Sequence, residues 1–133
     1  MTAIESVTLL MAKVEAIDLS TPPCMRHASI LDITAVWNGI GPAWAPEWFR
    51  KALSTWLRSF QPAALVHDYS YSLIDRNQPF AEDQRQVEDL RFYENCSKCA
   101  AYEFTWLHPK RLLLELGALA AWRAVRRLGG ASL

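Results

Sequence analysis

Apolar residues recur every three or four positions from Thr2 to Ile17, at Ile4, Val7, Leu10/Met11, Val14 and Ile17, with Glu5, Lys13 and Glu15 between them. That spacing predicts an amphipathic helix. The run Ser20-Thr-Pro-Pro-Cys24 ends it, because consecutive prolines cannot extend a helical ladder. Ala28–Val36 is short, mixed and partly β-branched, which predicts either a brief strand or an extended loop. Asn38-Gly-Ile-Gly-Pro42 predicts a turn-rich loop, since glycine reaches backbone conformations closed to other residues. From Pro46 to Phe60, the residues Phe49, Leu53, Trp56/Leu57 and Phe60 share one helical face. Pro62 suits the first turn of a further helix that carries Leu65, Val66, Tyr69 and Leu73, and Asp75-Arg-Asn-Gln-Pro79 breaks it. A long helix follows from Glu82 to about Tyr102, with Val87, Leu90 and Tyr93 expected inward. Pro109 opens the last one, striped by Leu112/Leu113, Leu116, Leu119/Ala120, Val125 and Leu128, and Gly129-Gly130 closes it. The pattern contains neither repeats nor a second domain boundary. It predicts a mainly α fold, one domain over residues 1–133, with an N-terminal helix inside 1–19.

Composition narrows the class. A chain of 133 residues, 51% hydrophobic and 21% charged, is long enough for one real core and too apolar for extended disorder. Lys+Arg and Asp+Glu both number 14, so no global field is available to hold a polyanion and no nucleic-acid partner is expected. The basic side chains Arg123, Arg126 and Arg127 read as a solvated C-terminal face that complements the helix dipole, with anionic lipid or a protein as alternative partners. Four of the six tryptophans, Trp37, Trp44, Trp48 and Trp56, fall close together, as core or as an interfacial surface. No basic segment leads into an apolar run at the N-terminus, so no signal peptide is expected. The stretch Leu112–Trp122 is too short and too interrupted to span a bilayer. Three cysteines, Cys24, Cys96 and Cys99, make no complete disulfide framework. A reduced compartment is the simpler reading, with one bridge from Cys24 to either of the others as the alternative. Cys96-x-x-Cys99 lacks a second matched pair, and zinc would need Cys24 with His27 or His108 to complete its ligands.

The candidate chemistry starts at His67-Asp68, an ionisable pair in an otherwise apolar helix. Adjacent helical residues project roughly 100° apart, so the two side chains serve different neighbours. An antiparallel helix pair bent at Asp75–Pro79 brings Asp89 opposite His67, and Tyr71 stands one turn after the histidine. A carboxylate bonded to one imidazole nitrogen fixes the tautomer and leaves the other nitrogen as a general base. Asp68, facing away, would reach the loop of Gly39 and Gly41. A carboxylate with backbone carbonyls is an oxygen-only set, suited to calcium rather than zinc. The plainer readings are a histidine buried for packing, a surface Asp68, a solvated Glu88-Asp89 pair and glycines that only make a turn.

In order along the chain, Asn-Gly-Ile-Gly-Pro42, Phe-Gln-Pro-Ala-Ala-Leu-Val-His-Asp-Tyr-Ser-Tyr71-Ser and Glu-Asp-Leu-Arg-Phe92 resemble the phospholipase A2 superfamily, above all its bacterial and fungal branch. That branch has a glycine loop, an aromatic-x-Pro-Ala segment leading to His-Asp-x-x-Tyr, and an Asp-x-x-Phe helix. Ala121-Trp-Arg-Ala-Val-Arg-Arg-Leu-Gly129 is similar to its closing helix. A second resemblance is to small phage-encoded proteins with Ala-x-x-x-His-Asp-Tyr-x-Tyr and the same Ala-Val-Arg ending. Together these cover residues 31–129. The resemblance implies a helical-hairpin core with added N- and C-terminal helices. It implies His67 as general base, Asp89 as its orienting carboxylate, Asp68 as a calcium ligand, and Asn38, Gly39 and Gly41 as backbone ligands. The chain departs from the pattern where Ala63 and Ala64 replace the cysteine that the superfamily usually bridges to the Asp-x-x-Phe helix. The expectation is therefore a calcium-assisted phospholipid or ester hydrolase, with a phospholipid or membrane surface as partner. A phage structural or assembly protein on the same scaffold, partnered by a phage or host protein, is the alternative. Either way the host cytoplasm or the phage particle is the expected location.

Overall fold

The computed structural model describes residues 1–37, 46–48, 50–51, 58–105 and 107–128. Its first helix, α1 (Ala3–Ile17), begins on a capping box. The Thr2 hydroxyl accepts the Glu5 N–H at 3.1 Å, and the Glu5 carboxylate accepts the Thr2 N–H at 2.9 Å. Asp18 ends the helix in the left-handed region with φ 59°, and Leu19 N–H then turns back to the Val14 carbonyl at 3.0 Å. The expected stripe holds for Val7, Leu10 and Val14, which are buried, while Ile4 faces solvent. After Pro22 comes a short 3-10 turn, Pro23–His27.

The segment expected as a strand or loop is a helix, α2 (Ile30–Val36). The Ser29 hydroxyl accepts the Asp32 N–H at 3.1 Å and the Thr34 hydroxyl donates to the Ile30 carbonyl at 2.7 Å. An N-cap and an acidic first turn therefore outweigh β-branched propensity, which is a weak preference. Of the helix expected over Pro46–Phe60, Glu47, Trp48, Arg50 and Lys51 are helical, with Arg50 N–H bonded to the Pro46 carbonyl at 3.1 Å, positions 49 and 52–57 lie outside the described residues, and Arg58–Phe60 forms a 3-10 turn. The Asn38–Pro42 loop and the Gly129-Gly130 stop also lie outside them.

Further along the chain come the helices α3 (Gln61–Ser72), α4 (Ala81–Glu103) and α5 (Pro109–Leu128). Pro62 sits in the first turn of α3, where its missing N–H costs nothing. The helices run antiparallel in sequence order. Ser59, just before α3, bonds Glu103 at the far end of α4 at 2.8 Å, while His67 meets Asp89 midway. Ser97 bonds Glu115 at 3.0 Å and Asp89 receives Arg126 at 2.7 Å, which sets α5 alongside α4. The described residues form a single, all-helical domain with no strand among them. No described helix is long and apolar enough to cross a membrane.

The core lies around α3, where Ala63, Ala64, Leu65, Val66 and Tyr69 are all buried. Phe60, Val7, Val14, Ile33, Phe92, Cys96 and Cys99 pack with them. Two inward faces differ from the expected ones. On α4, Val87 and Leu90 are exposed, and the buried face carries Arg85, Asp89, Phe92, Asn95, Cys96 and Cys99. On α5, Leu112, Leu113 and Leu116 are exposed while Arg111 and Ala118 are buried. Both helices are phased by polar fastenings. Asn95 binds the Ser20 backbone twice, accepting its N–H at 2.9 Å and donating to its carbonyl at 2.8 Å. Arg111 holds Glu115 at 2.9 Å and the Phe104 carbonyl at 3.1 Å. Buried polar groups must be paired, so these bonds decide which side turns inward.

Candidate functional site

The site grows from one carboxylate. Asp89 has no exposed surface, and its two oxygens receive four side chains: His67 and Tyr71 on Oδ1, Arg85 and Arg126 on Oδ2. His67 Nε2 lies 2.9 Å from Oδ1, and the Tyr71 hydroxyl donates to the same atom. Arg126 Nη1 approaches Oδ2 at 2.7 Å and Arg85 Nη1 at 3.4 Å. Helical geometry explains the convergence. His67 and Tyr71 are four residues apart on α3, as Arg85 and Asp89 are on α4, so each pair shares a face.

An outer carboxylate ties the arginines together. Glu82 takes Arg85 Nε at 2.8 Å and Arg126 Nη2 at 2.8 Å. Arg85 Nη1 also donates to the Val125 carbonyl at 3.1 Å, near the end of α5. That end exposes backbone carbonyls and the negative pole of the helix, which a guanidinium complements.

Burial would push the Asp89 carboxyl up, yet the hydrogen bonds from His67, Tyr71 and Arg126 outweigh it and hold it below the ordinary value. Burial first, and then the hydrogen bond to Asp89, push Tyr71 upward, so it is a neutral donor at any physiological pH. Glu82 is pulled down to about 2 by hydrogen bonds from Arg85 and then Arg126. An ionised carboxylate only accepts, so the hydrogen on the His67–Asp89 bond belongs to Nε2. In the tautomer this fixes, the lone pair lies on Nδ1. Tyr71 and Phe92 clamp the imidazole, with ring centroids at 4.2 and 4.7 Å. The arrangement can orient an imidazole, fix its tautomer and stabilise it once protonated.

His67, Asp89 and Tyr71 are thus brought together. Asp68 is half-buried on the next position of α3 and engages neighbours of its own. Asn38, Gly39 and Gly41, the other expected calcium ligands, lie outside the described residues. Asp68 offers carboxylate oxygens, a chemistry that suits calcium. Among the described residues no three His, Cys, Asp or Glu side chains gather as a metal site, Cys96 and Cys99 included. All three cysteines are free thiols. Burial raises Cys96 well above the usual thiol range and pushes Cys99 up to about 12, so both are inert core groups.

The sequence reading missed two partners of Asp89. The sequence pattern places Arg126 on a solvated face, and the structure turns it inward to Asp89 and Glu82. Arg85 was not singled out, although its positions relative to Glu82 and Asp89, three and four residues away, were a visible signal for a charge cluster on one helix face. No family model matches the chain, and no curated protein or solved structure matches it either.

Proposed function

We propose that this protein is an ester hydrolase of phospholipase A2-like architecture, acting on phospholipid with calcium as its cofactor. The observation that carries the reading is the buried His67–Asp89 bond of 2.9 Å between two antiparallel helices. The third member is Tyr71, placed four residues after His67 as the resembled His-Asp-x-x-Tyr motif requires. In this reading Nδ1 of His67 takes a proton from water as the oxygen attacks an ester carbonyl. Asp89 holds the ring in the tautomer that makes Nδ1 available, and stabilises the imidazolium formed. Tyr71, through Oδ1, and the arginines, through Oδ2, keep the carboxylate itself from moving. Asp68 would hold calcium together with backbone oxygens of Asn38, Gly39 and Gly41. Bound there, calcium would polarise the ester carbonyl and stabilise the oxyanion.

A second reading is a phage structural or assembly protein that keeps the helical scaffold without hydrolysis. Two observations favour it. Both Asp89 oxygens are occupied, one of them by two guanidinium groups, which suits a structural keystone. Leu112, Leu113 and Leu116 also present an apolar face to solvent, as a protein-binding helix does. Fatty-acid release from mixed phospholipid vesicles separates the two. The hydrolase reading expects release that depends on calcium and falls by at least about a hundredfold in His67→Gln, the loss typical of a general base. Equal absence of release from both proteins would sink it and put assembly first.

A further inference from the structure

Two helix faces reach the surface with apolar side chains uncovered, and they carry opposite charge. On α5, Leu112, Leu113 and Leu116 are each more than half exposed. The exposed charged residues of that helix are Lys110, Arg123 and Arg127. Its single acid, Glu115, is partly buried and held by Arg111 at 2.9 Å and Ser97 at 3.0 Å. Positions 113, 116, 120, 123 and 127 are all exposed and follow a three-four spacing, so two leucines, an alanine and two arginines share one outward stripe. The first half of α4 shows the inverse. Val87 and Leu90 are more than half exposed, and Leu73 and Phe80, each about half exposed, adjoin Val87 along one groove. The exposed charged residues from Ala81 to Glu94 are Glu82, Asp83 and Glu94, all acidic. The cations of this stretch are held internally, Arg85 by Glu82 and Asp89, and Arg91 by Glu88 at 3.5 Å. Apolar side chains gathered on one face differ from the scattered exposed ones of any protein, and mark an interface.

Charge identifies the occupant. A surface that fits the α5 stripe is apolar with an acidic border, and α4 presents one on the same chain. Two α5 stripes together would set arginine toward arginine, and two α4 faces carboxylate toward carboxylate. The stripe of α5 against the face of α4 pairs opposite signs. The two helices run antiparallel, with Ser97 beside Glu115 and Asp89 beside Arg126, so Leu112–Leu116 and Val87–Leu90 lie toward opposite ends of the pair. Neither covers the other within one chain. An anionic membrane would match α5 and leave the α4 face uncovered. We propose that the protein self-associates, the α5 stripe of one copy docking on the α4 face of the next. The two faces share no residue with the His67–Asp89 pair or its partners, apart from Glu82 at the border, so self-association stands or falls apart from hydrolysis.

Sedimentation of the full chain at rising concentration, with paired variants, tests this. Wild type should associate reversibly, and about tenfold more weakly when sodium chloride rises from about 0.05 M to about 0.5 M, because salt screens the matched charges. Val87→Lys and Leu116→Glu, both at exposed positions, should each be monomeric, since a like charge enters the contact. Circular dichroism should show wild-type helix content in both. Mixed in equal amounts, the two variants should associate again, because each keeps the face that the other has lost. Arg123→Glu, a change at an exposed side chain, should weaken wild-type association by about tenfold. Wild type that stays monomeric, or that associates regardless of salt and of Arg123→Glu, would overturn the proposal. So would either single variant associating like wild type, or a mixture of the two that stays monomeric. Monomeric wild type that binds vesicles containing phosphatidylglycerol, and no longer does so in Leu116→Glu, would assign the α5 stripe to lipid and equally overturn it.

Discussion

A carboxylate with no exposed surface survives in this core because four donors replace the water it has lost. Asp89 is the point where an imidazole, a phenol and two guanidinium groups meet, so deleting it strands several polar groups at once. Asp89→Ala is therefore expected to lose about 3–5 kcal/mol of stability, measured by chemical denaturation, the range found when a buried ion pair loses one member. A loss below about 1 kcal/mol would mean that water reaches these groups in the native state. His67 and Asp89 were legible as partners from the sequence because both lie at one height of an antiparallel helix pair, and the flanking motif gave the register. Arg85 and Arg126 were not, since charged residues near helix ends ordinarily face solvent and the pattern gives no sign of an inward turn.

Among the helices, α1 and α3 were readable because one side of each is unambiguously apolar or the whole helix is. For α4 and α5 the period was right and the phase wrong. Leu112, Leu113 and Leu116 look as fit for the core as Ala118, yet of these four Ala118 alone is buried. The small residues Gly117 and Ala118 are buried and Leu114 packs partly against the core, while Leu112, Leu113 and Leu116 are left outside. Arg126 then fastens the C-terminal end of α5 to both Asp89 and Glu82. Arg126→Ala should cost about 1–3 kcal/mol, as loss of a charged hydrogen bond does. Amide hydrogen exchange should quicken in the last turns of α5 more than in α3. Uniform quickening across α3, α4 and α5 would show that this end has no separate hold. The helix at Ile30–Val36 was misread for a different reason: its Ser29 cap is a side-chain signal that composition over a short window obscures.

The charge cluster ties the whole domain to pH. Glu82 and Asp89 both have folded-state values below their ordinary ones, so both contribute stability that is fully present above the ordinary range. That contribution is lost on acidification, starting near the ordinary 4.5 of Glu82 and continuing toward about 2. The melting temperature should accordingly be flat from neutral pH to about 5 and then fall. Glu82→Gln combined with Asp89→Asn should flatten the acid limb, and an unchanged limb would place the sensitive groups elsewhere. The proposed hydrolysis, in turn, would need the cluster to hold Asp89 ionised while leaving one nitrogen of His67 able to take a proton. The most direct check is the nitrogen-15 spectrum of the His67 ring at mildly basic pH. A single tautomer with the proton on Nε2 and an unprotonated Nδ1 is the predicted result. A proton on Nδ1, or two tautomers in rapid exchange, would contradict an imidazole anchored by Asp89.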